Sequence, residues 1–296
     1  MKMYRLSEQD KKQLESRGVS EIDFIDQLDL IKSGVPFINL QKPCTLGDGI
    51  KSLSGNDLEK YNRLFEDSLD KFRPVKFVPS SGAASRMFGL LNKIKLDYPD
   101  FKIRVAQNTT DKDDKDFLEF IDRIEEFAFY DDLKNIMSKH GESIKESVAD
   151  GKFDIIIDYL LTEKGLDYSN CPKGLIKFHR YDGRNRVAFE EHLVEALEYS
   201  TGNDKVSAVH FTILEEHEEK IRGYINSVIK LYTEPGFNFD IGYSFQSPQT
   251  DIIAVDFNDV PLRDKEGCLV FRPGGHGALL GNLGHLDREI IFIKNI

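Results

Sequence analysis

Tryptophan is missing from this 296-residue chain and cysteine is scarce, with Cys44, Cys171 and Cys268 far apart. Three separated thiols build neither a disulfide framework nor a paired-cysteine zinc site. The sequence also lacks any run of about 18 apolar residues, the length a membrane-crossing helix needs. Its opening, MKMYRLSEQDKKQLE, holds no apolar stretch before a cleavage site, so the expectation is a cytoplasmic protein without membrane contact. Positive charge is in deficit. Forty Lys and Arg stand against 51 Asp and Glu, a formal net charge of −11. Such a chain repels phosphate backbones at long range, so nucleic acid is not the expected partner. A small phosphorylated ligand is still allowed, because a local cluster of donors decides that.

The remaining composition, 40% hydrophobic and 31% charged, is that of an ordinary globular protein. A chain this long buries roughly three quarters of its unfolded surface and needs no staples. Residues 1–73 read as a helical region. Ser7 with Asp10, and Ser20 with Asp23, offer a capping hydroxyl followed by an acidic first turn. Ile22, Ile25, Leu28 and Ile31 then recur at helical spacing, and Leu58, Tyr61, Leu64, Phe65 and Leu69 repeat the pattern behind Ser54. Both stripes are expected to pack against something.

At 74–79 the pattern changes to PVKFVP, a short strand, followed by the small-residue turn Ser80-Ser81-Gly82-Ala83-Ala84-Ser85, then Arg86 and a helix to about Leu96. Residues 97–170 read as a helical insertion, with a solvated charge run at 111–116 and helices near 116–138 and 142–161. Beyond 172, strands at 175–178, 206–214, 237–246, 252–257, 268–272 and a buried one at 289–294 alternate with helices near 186–199, 215–232 and 274–286. The turn SPQTD makes 237–257 look like a hairpin. Alternation of this kind predicts an α/β sheet, mostly parallel, with one antiparallel excursion.

The loop 80–86 is the first place for chemistry. Ligands sit beyond the carboxyl ends of strands in such sheets, and a Gly/Ala/Ser loop brings backbone N–H groups close to a phosphate. Arg86 would add a charge-assisted contact. The alternative is a plain strand-to-helix connection.

The stretch Gly82-Ala83-Ala84-Ser85-Arg86-Met87, followed by Pro172-Lys173-Gly174-Leu175-Ile176, resembles the two opening motifs of nucleotide-sugar pyrophosphorylases and related nucleotidyltransferases. Arg272-Pro273-Gly274-Gly275-His276-Gly277 is most similar to a segment of UDP-sugar pyrophosphorylases. The string KFVPSSGAASRMF is also similar to that of an uncharacterised bacterial family of domains of unknown function. The resemblance, over 74–296, implies a three-layer α/β domain of the nucleotide-diphospho-sugar transferase type and transfer of a nucleoside monophosphate from a nucleoside triphosphate, UTP favoured, to a sugar 1-phosphate or similar acceptor. It implies Mg²⁺, with ligands not visible in this chain. Arg86 and Lys173 would be catalytic, and Ser80, Ser81, Gly82, Ala83, Ala84, Ser85, Gln246, Gly275, His276 and Gly277 would bind the nucleotide.

Departures accompany it. Ala84 stands where the pattern has a second Gly, and Ala278 stands where many UDP-sugar enzymes have Asp. The metal-binding Asp of the pattern would follow Ile296, so the expectation is a domain truncated at its C-terminus. Two other readings compete: a nucleotide-binding or interaction module that has lost catalysis, and a glycosyltransferase using Asp111-Lys112-Asp113. His192, beside Glu191 and Glu195, lacks a second histidine at metal-ligand spacing and reads as an ordinary helix residue.

Overall fold

Three serines start the first three helices, each with an aspartate three residues on. Ser7, Ser20 and Ser54 accept from the backbone N–H of Asp10, Asp23 and Asp57, whose carboxylates bond back to the cap backbone. These reciprocal bonds satisfy donors that a helix start leaves open. They begin α1 (Glu8–Ser16), α2 (Glu21–Ser33) and α3 (Gly55–Ser68), and the short strands β1 (Thr45–Leu46) and β2 (Gly49–Ile50) lie before α3. The computed structural model describes residues 4–34, 37–82, 84 and 87–296, with the side chain of His276 outside the description.

The chain forms two units, Met1–Arg73 with Ser244–Ile290, and Pro74–Tyr243 with Ile291–Ile296. The second contains, in order, β3 (Pro74–Pro79), α4 (Gly89–Leu96), α5 (Tyr98–Ala106), α6 (Lys112–Asp122), α7 (Tyr130–Lys139), α8 (Ile144–Ala149) and α9 (Phe153–Leu161). Next come β4 (Lys177–His179), β5 (Arg186–Val187), α10 (Ala188–Tyr199), β6 (Val206–Ile213), α11 (Glu218–Val228) and β7 (Asn238–Phe245). The chain then supplies β8 (Ile252–Ile253), β9 (Phe271–Arg272) and α12 (Leu280–Gly284) to the first unit and closes with β10 (Ile290–Ile293).

The protein is α/β, and its main sheet has four strands in the order β10-β3-β6-β7. β3 and β6 pair in parallel, Lys76 opposite Val209 and Pro79 opposite Thr212. At the two ends of β10, the Glu289 carboxylate accepts from the Arg73 N–H and the Lys294 N–H donates to Phe77 O, so β10 also runs with β3. The Asn238 N–H donates to Lys205 O, which aligns the starts of β6 and β7. One apolar core joins Val78, Val209, Phe211 and Ile213 of the sheet to Phe189, Leu193 and Ala196 of α10 and Ile221, Ile225 and Val228 of α11. A second core lies among α4–α9, around Phe101, Phe117, Leu133 and Ile156. In the first unit, Leu14, Phe24 and Leu28 pack with Ile253 and Leu269.

Several expectations need correction. Ile252–Ile253 pairs antiparallel with Phe271–Arg272, so 237–257 is no hairpin. Residues 173–175 form a 3-10 turn, and the strand after it pairs with β5 outside the main sheet. The run at 111–116 is not wholly solvated: Asp111 caps α6, while Asp114 is buried against Arg104 at 2.7 and 2.8 Å. In α2 the buried residues are Phe24 and Leu28, with Ile22 turned outward. The α3 stripe has no buried residue. β10 is only half-buried, as its place at the sheet edge dictates.

Candidate functional site

The first strand of the sheet, β3, is not at its edge. The chain winds from β3 to β6 and β7 on one side, and β10 is then added on the other. The direction of winding reverses between β3 and β10, and ligands of open parallel sheets bind beyond the carboxyl ends of strands at such a reversal. The loop 80–86 leaves the carboxyl end of β3, and Lys294–Ile296 leaves that of β10.

Lys173 is brought to that edge. Its Nζ donates to the main-chain oxygen of Ile296 at 2.8 Å. The turn carrying it is pressed against α10, because a Cβ on Gly174 would stand 2.4 Å from the Phe189 ring. The start of α10 is therefore at the carboxyl edge. Its far end reaches back along β3, where the Lys76 ammonium meets Glu195 at 2.7 Å.

Lys76 is fully buried, and this charge also donates to His192 O at 3.1 Å. Burial pulls its pKa down to about 8, against the raising effect of Glu195. Glu195 also pairs with Lys294, and despite burial the two lysines hold its carboxyl down at about 2. His192 is buried, its Nδ1 has no hydrogen-bond partner among the described residues, and burial with Lys76 nearby lowers its pKa to about 3. This cluster holds α10 to β3 and β10.

The expected nucleotide-binding residues divide between the units. Ser80 is buried, its N–H and hydroxyl both directed at Thr212 O, at 3.0 and 2.8 Å, so it extends the β3–β6 ladder. Ser81 is half-buried, and Gly82 is exposed, without a left-handed φ and with nothing within 4 Å of where its Cβ would stand. Neither the backbone nor a described neighbour requires glycine there. Ala84 packs in the helical core beside Phe88. Ala83, Ser85 and Arg86 lie outside the described residues. In the first unit, Gln246 Nε2 donates to Gly274 O at 3.2 Å, which brings Gln246 to the turn containing Gly275, His276 and Gly277. Gly274 itself is tight, since a Cβ would meet Thr250 O at 2.5 Å.

Among the described residues no group of three or more His, Cys, Asp or Glu side chains is placed to hold a metal ion. Asp111 and Asp113 serve locally, the first as the cap of α6 and the second as partner of Lys93. Likewise, no helix among the described residues is long and apolar enough to cross a membrane.

A family model described as domain of unknown function (DUF4301) matches residues 7–296. The chain belongs to that family. No curated protein and no solved structure matches it.

In this DUF4301 chain a second charged constellation is not evident from the sequence. Glu190, fully buried in the first turn of α10, accepts from the hydroxyls of Tyr224 and Tyr232, both at 2.5 Å, and meets Arg184 at 2.6 Å. Burial beside this carboxylate raises both phenols, Tyr232 up to about 12. Arg186 lies over the Tyr181 ring, 4.5 Å from its centroid, and pairs with Glu191 at 3.4 Å. The available signal was Arg180-Tyr181-Asp182-Gly183-Arg184-Asn185-Arg186, a concentration of arginine around one glycine in an acidic chain.

Proposed function

We propose that the carboxyl edge between β3 and β10 is a nucleotidyl-transfer site of the nucleotide-sugar pyrophosphorylase kind. A nucleoside triphosphate, entering as its magnesium complex with UTP favoured, would be the donor, and a phosphorylated small molecule the acceptor. The observation that carries this reading is the reversal of winding at β3, with a small-residue loop after that strand and Lys173 beside the end of the neighbouring one. An acceptor phosphate oxygen attacks the α-phosphorus in line, a new P–O bond forms, and pyrophosphate leaves with the electrons of the broken bond. Such a reaction needs positioning and charge neutralisation more than a general base. Arg86 is assigned to the leaving pyrophosphate and Lys173 to the α-phosphate. The backbone of 80–85 is assigned to the nucleotide.

Thermal unfolding with Mg²⁺ and each of UTP, ATP, GTP, CTP and dTTP, together with a pyrophosphate-release assay, tests the proposal. A nucleotide at 100 times its dissociation constant adds about 2.7 kcal/mol, which raises the midpoint by about 5–10 °C. The shift should be selective and lost in Arg86→Ala. Turnover should fall roughly 10²–10³-fold in Arg86→Ala and Lys173→Ala. A shift without pyrophosphate release would instead support a non-catalytic nucleotide-binding module. That second reading is favoured by the commitments already made within the protein, Lys173 to Ile296 and Ser80 to Thr212. No shift with any nucleotide would overturn both.

A further inference from the structure

Lys294–Ile296 follow β10 at the carboxyl edge of the sheet, and three contacts fix them there. The Lys294 N–H donates to Phe77 O at 3.1 Å, and the Lys294 ammonium pairs with Glu195 of α10. Ile296 O accepts from Lys173 Nζ at 2.8 Å, while the Ile296 side chain packs against the core between α10, α11 and the sheet. One N–H of the Lys173 ammonium is thus anchored, and an ammonium has two more to offer.

We infer that Lys294–Ile296 is a strap that positions the Lys173 ammonium, latched on Glu195 and loosened by positive charge on Lys76. The inference rests on the transfer reading only in giving Lys173 a ligand to meet. The latch is one carboxylate shared by two lysines. Glu195 Oε2 accepts from Lys76 at 2.7 Å and from the Tyr199 hydroxyl at 3.3 Å, and Oε1 takes Lys294. Lys76 has no room to leave. It is fully buried, bonded to His192 O at 3.1 Å and 5.2 Å from the centroid of the Tyr199 ring. The Lys294 side chain is 55% exposed, so water competes for it and its ion pair is the weaker arm.

The groups that face Lys76 are Glu191, His192, Glu195 and Tyr199 from α10 and Lys294 from the strap, and His179 of β4 faces His192. Glu191 is already paired with Arg186. Across pH 8 Lys76 gives up its proton, while Glu195 stays ionised and His192 neutral. The charge of Lys294 pulls the pKa of Lys76 down. Such coupling is reciprocal, so loss of the Lys76 proton strengthens the hold on Lys294. The strap is therefore tighter at pH 9 than at pH 7.

Amide hydrogen exchange of the full chain, without nucleotide, reads the strap as the protection of residues 291–296 relative to that of β6. Acylation by acetic anhydride at fixed pH reads the Lys173 amine. In Lys294→Met the protection of 291–296 should fall about two- to fivefold, the worth of a half-exposed ion pair, and Lys173 should acylate faster by a similar factor. Protection of β6 should not change, because Lys76 keeps Glu195 in that variant. In the parent, protection of 291–296 should rise about twofold from pH 7 to pH 9, within the same range of ion-pair strength, and in Lys76→Met it should stay level. Unchanged Lys173 acylation in Lys294→Met would overturn the strap. Equal protection of the parent at the two pH values would overturn the role of Lys76. Both readouts are taken without nucleotide, so an absent nucleotide shift removes the transfer reading and leaves the strap standing.

Discussion

At Gly174 there is no room for a side chain. A methyl group would enter the Phe189 ring, which is itself fully buried between α10 and the sheet. Overpacking of this kind costs about 1–3 kcal/mol. Gly174→Ala should therefore lower stability by that amount in a denaturant titration. It should also displace Lys173 from Ile296, so the loss of nucleotide response should exceed what reduced stability alone produces at temperatures where the variant is folded. Other single residues were less readable. PVKFVP announces a strand, yet nothing local announces that Lys76 is buried, because its counter-charge Glu195 lies 119 positions away. The PKG triplet was visible as a motif, whereas the contact of Lys173 with Ile296 spans 123 positions and needed the fold.

Among the elements, legibility followed length. β3, β6, β7, α10 and α11 carry apolar patterns long enough to stand out, and the serine–aspartate boxes mark three helix starts almost to the residue. β8 and β9 have two residues each, too few for a period, and their pairing depends on the partners that α1 and α2 offer them. The Gln13 side chain bonds both the N–H and the oxygen of Leu269 at 2.8 Å, and Gln27 accepts from the Ile253 N–H at 2.7 Å, as a neighbouring strand would. Electrostatics adds a clamp. Arg263 binds the buried Asp10 carboxylate of α1 at 2.7 and 2.9 Å, through both terminal nitrogens, and holds its pKa down at about 2. An acid whose folded pKa is depressed contributes stability above its unfolded pKa, here near 4, and loses it as pH falls toward 2. Asp10→Asn should cost about 1.5–3 kcal/mol at pH 7, the size of a hydrogen bond to a charged group. The gap between parent and variant should close between pH 4 and pH 2 in acid-unfolding curves. His192, buried neutral, adds acid lability between about pH 6.5 and 3, but equally in both proteins, so the difference isolates the clamp.

Taken whole, the molecule forms two units, each drawing on distant stretches of the chain. Leu14, Phe24 and Leu28 complete a core whose other members, Ile253 and Leu269, come from the far end of the chain. A chain beginning at residue 74 keeps the parallel sheet but strips those partners from β8 and β9. It should be recovered less soluble than the full chain and bind an apolar dye more strongly, while the intact protein does neither. The α/β class and the strand–loop–helix at 74–96 were legible because their signals are local. The order β10-β3-β6-β7, which locates the reversal of winding, is a property of the assembled sheet, and so is the sharing of Glu195 by Lys76 and Lys294.

The division into interleaved units has a consequence in time. Asp10 is separated from Arg263 by 253 positions, and Gln27 from Ile253 by 226. At synthesis rates of about 5–20 residues per second, α1 waits roughly 13–50 s on the ribosome before its partner exists. Throughout that interval Leu14, Phe24 and Leu28 lack Ile253 and Leu269 to cover them. Closing so distant a contact is entropically slow, so α1 and α2 are made long before they find their place. Until β8 and β9 are made, the apolar faces of α1 and α2 are the chain's exposed aggregation hazard.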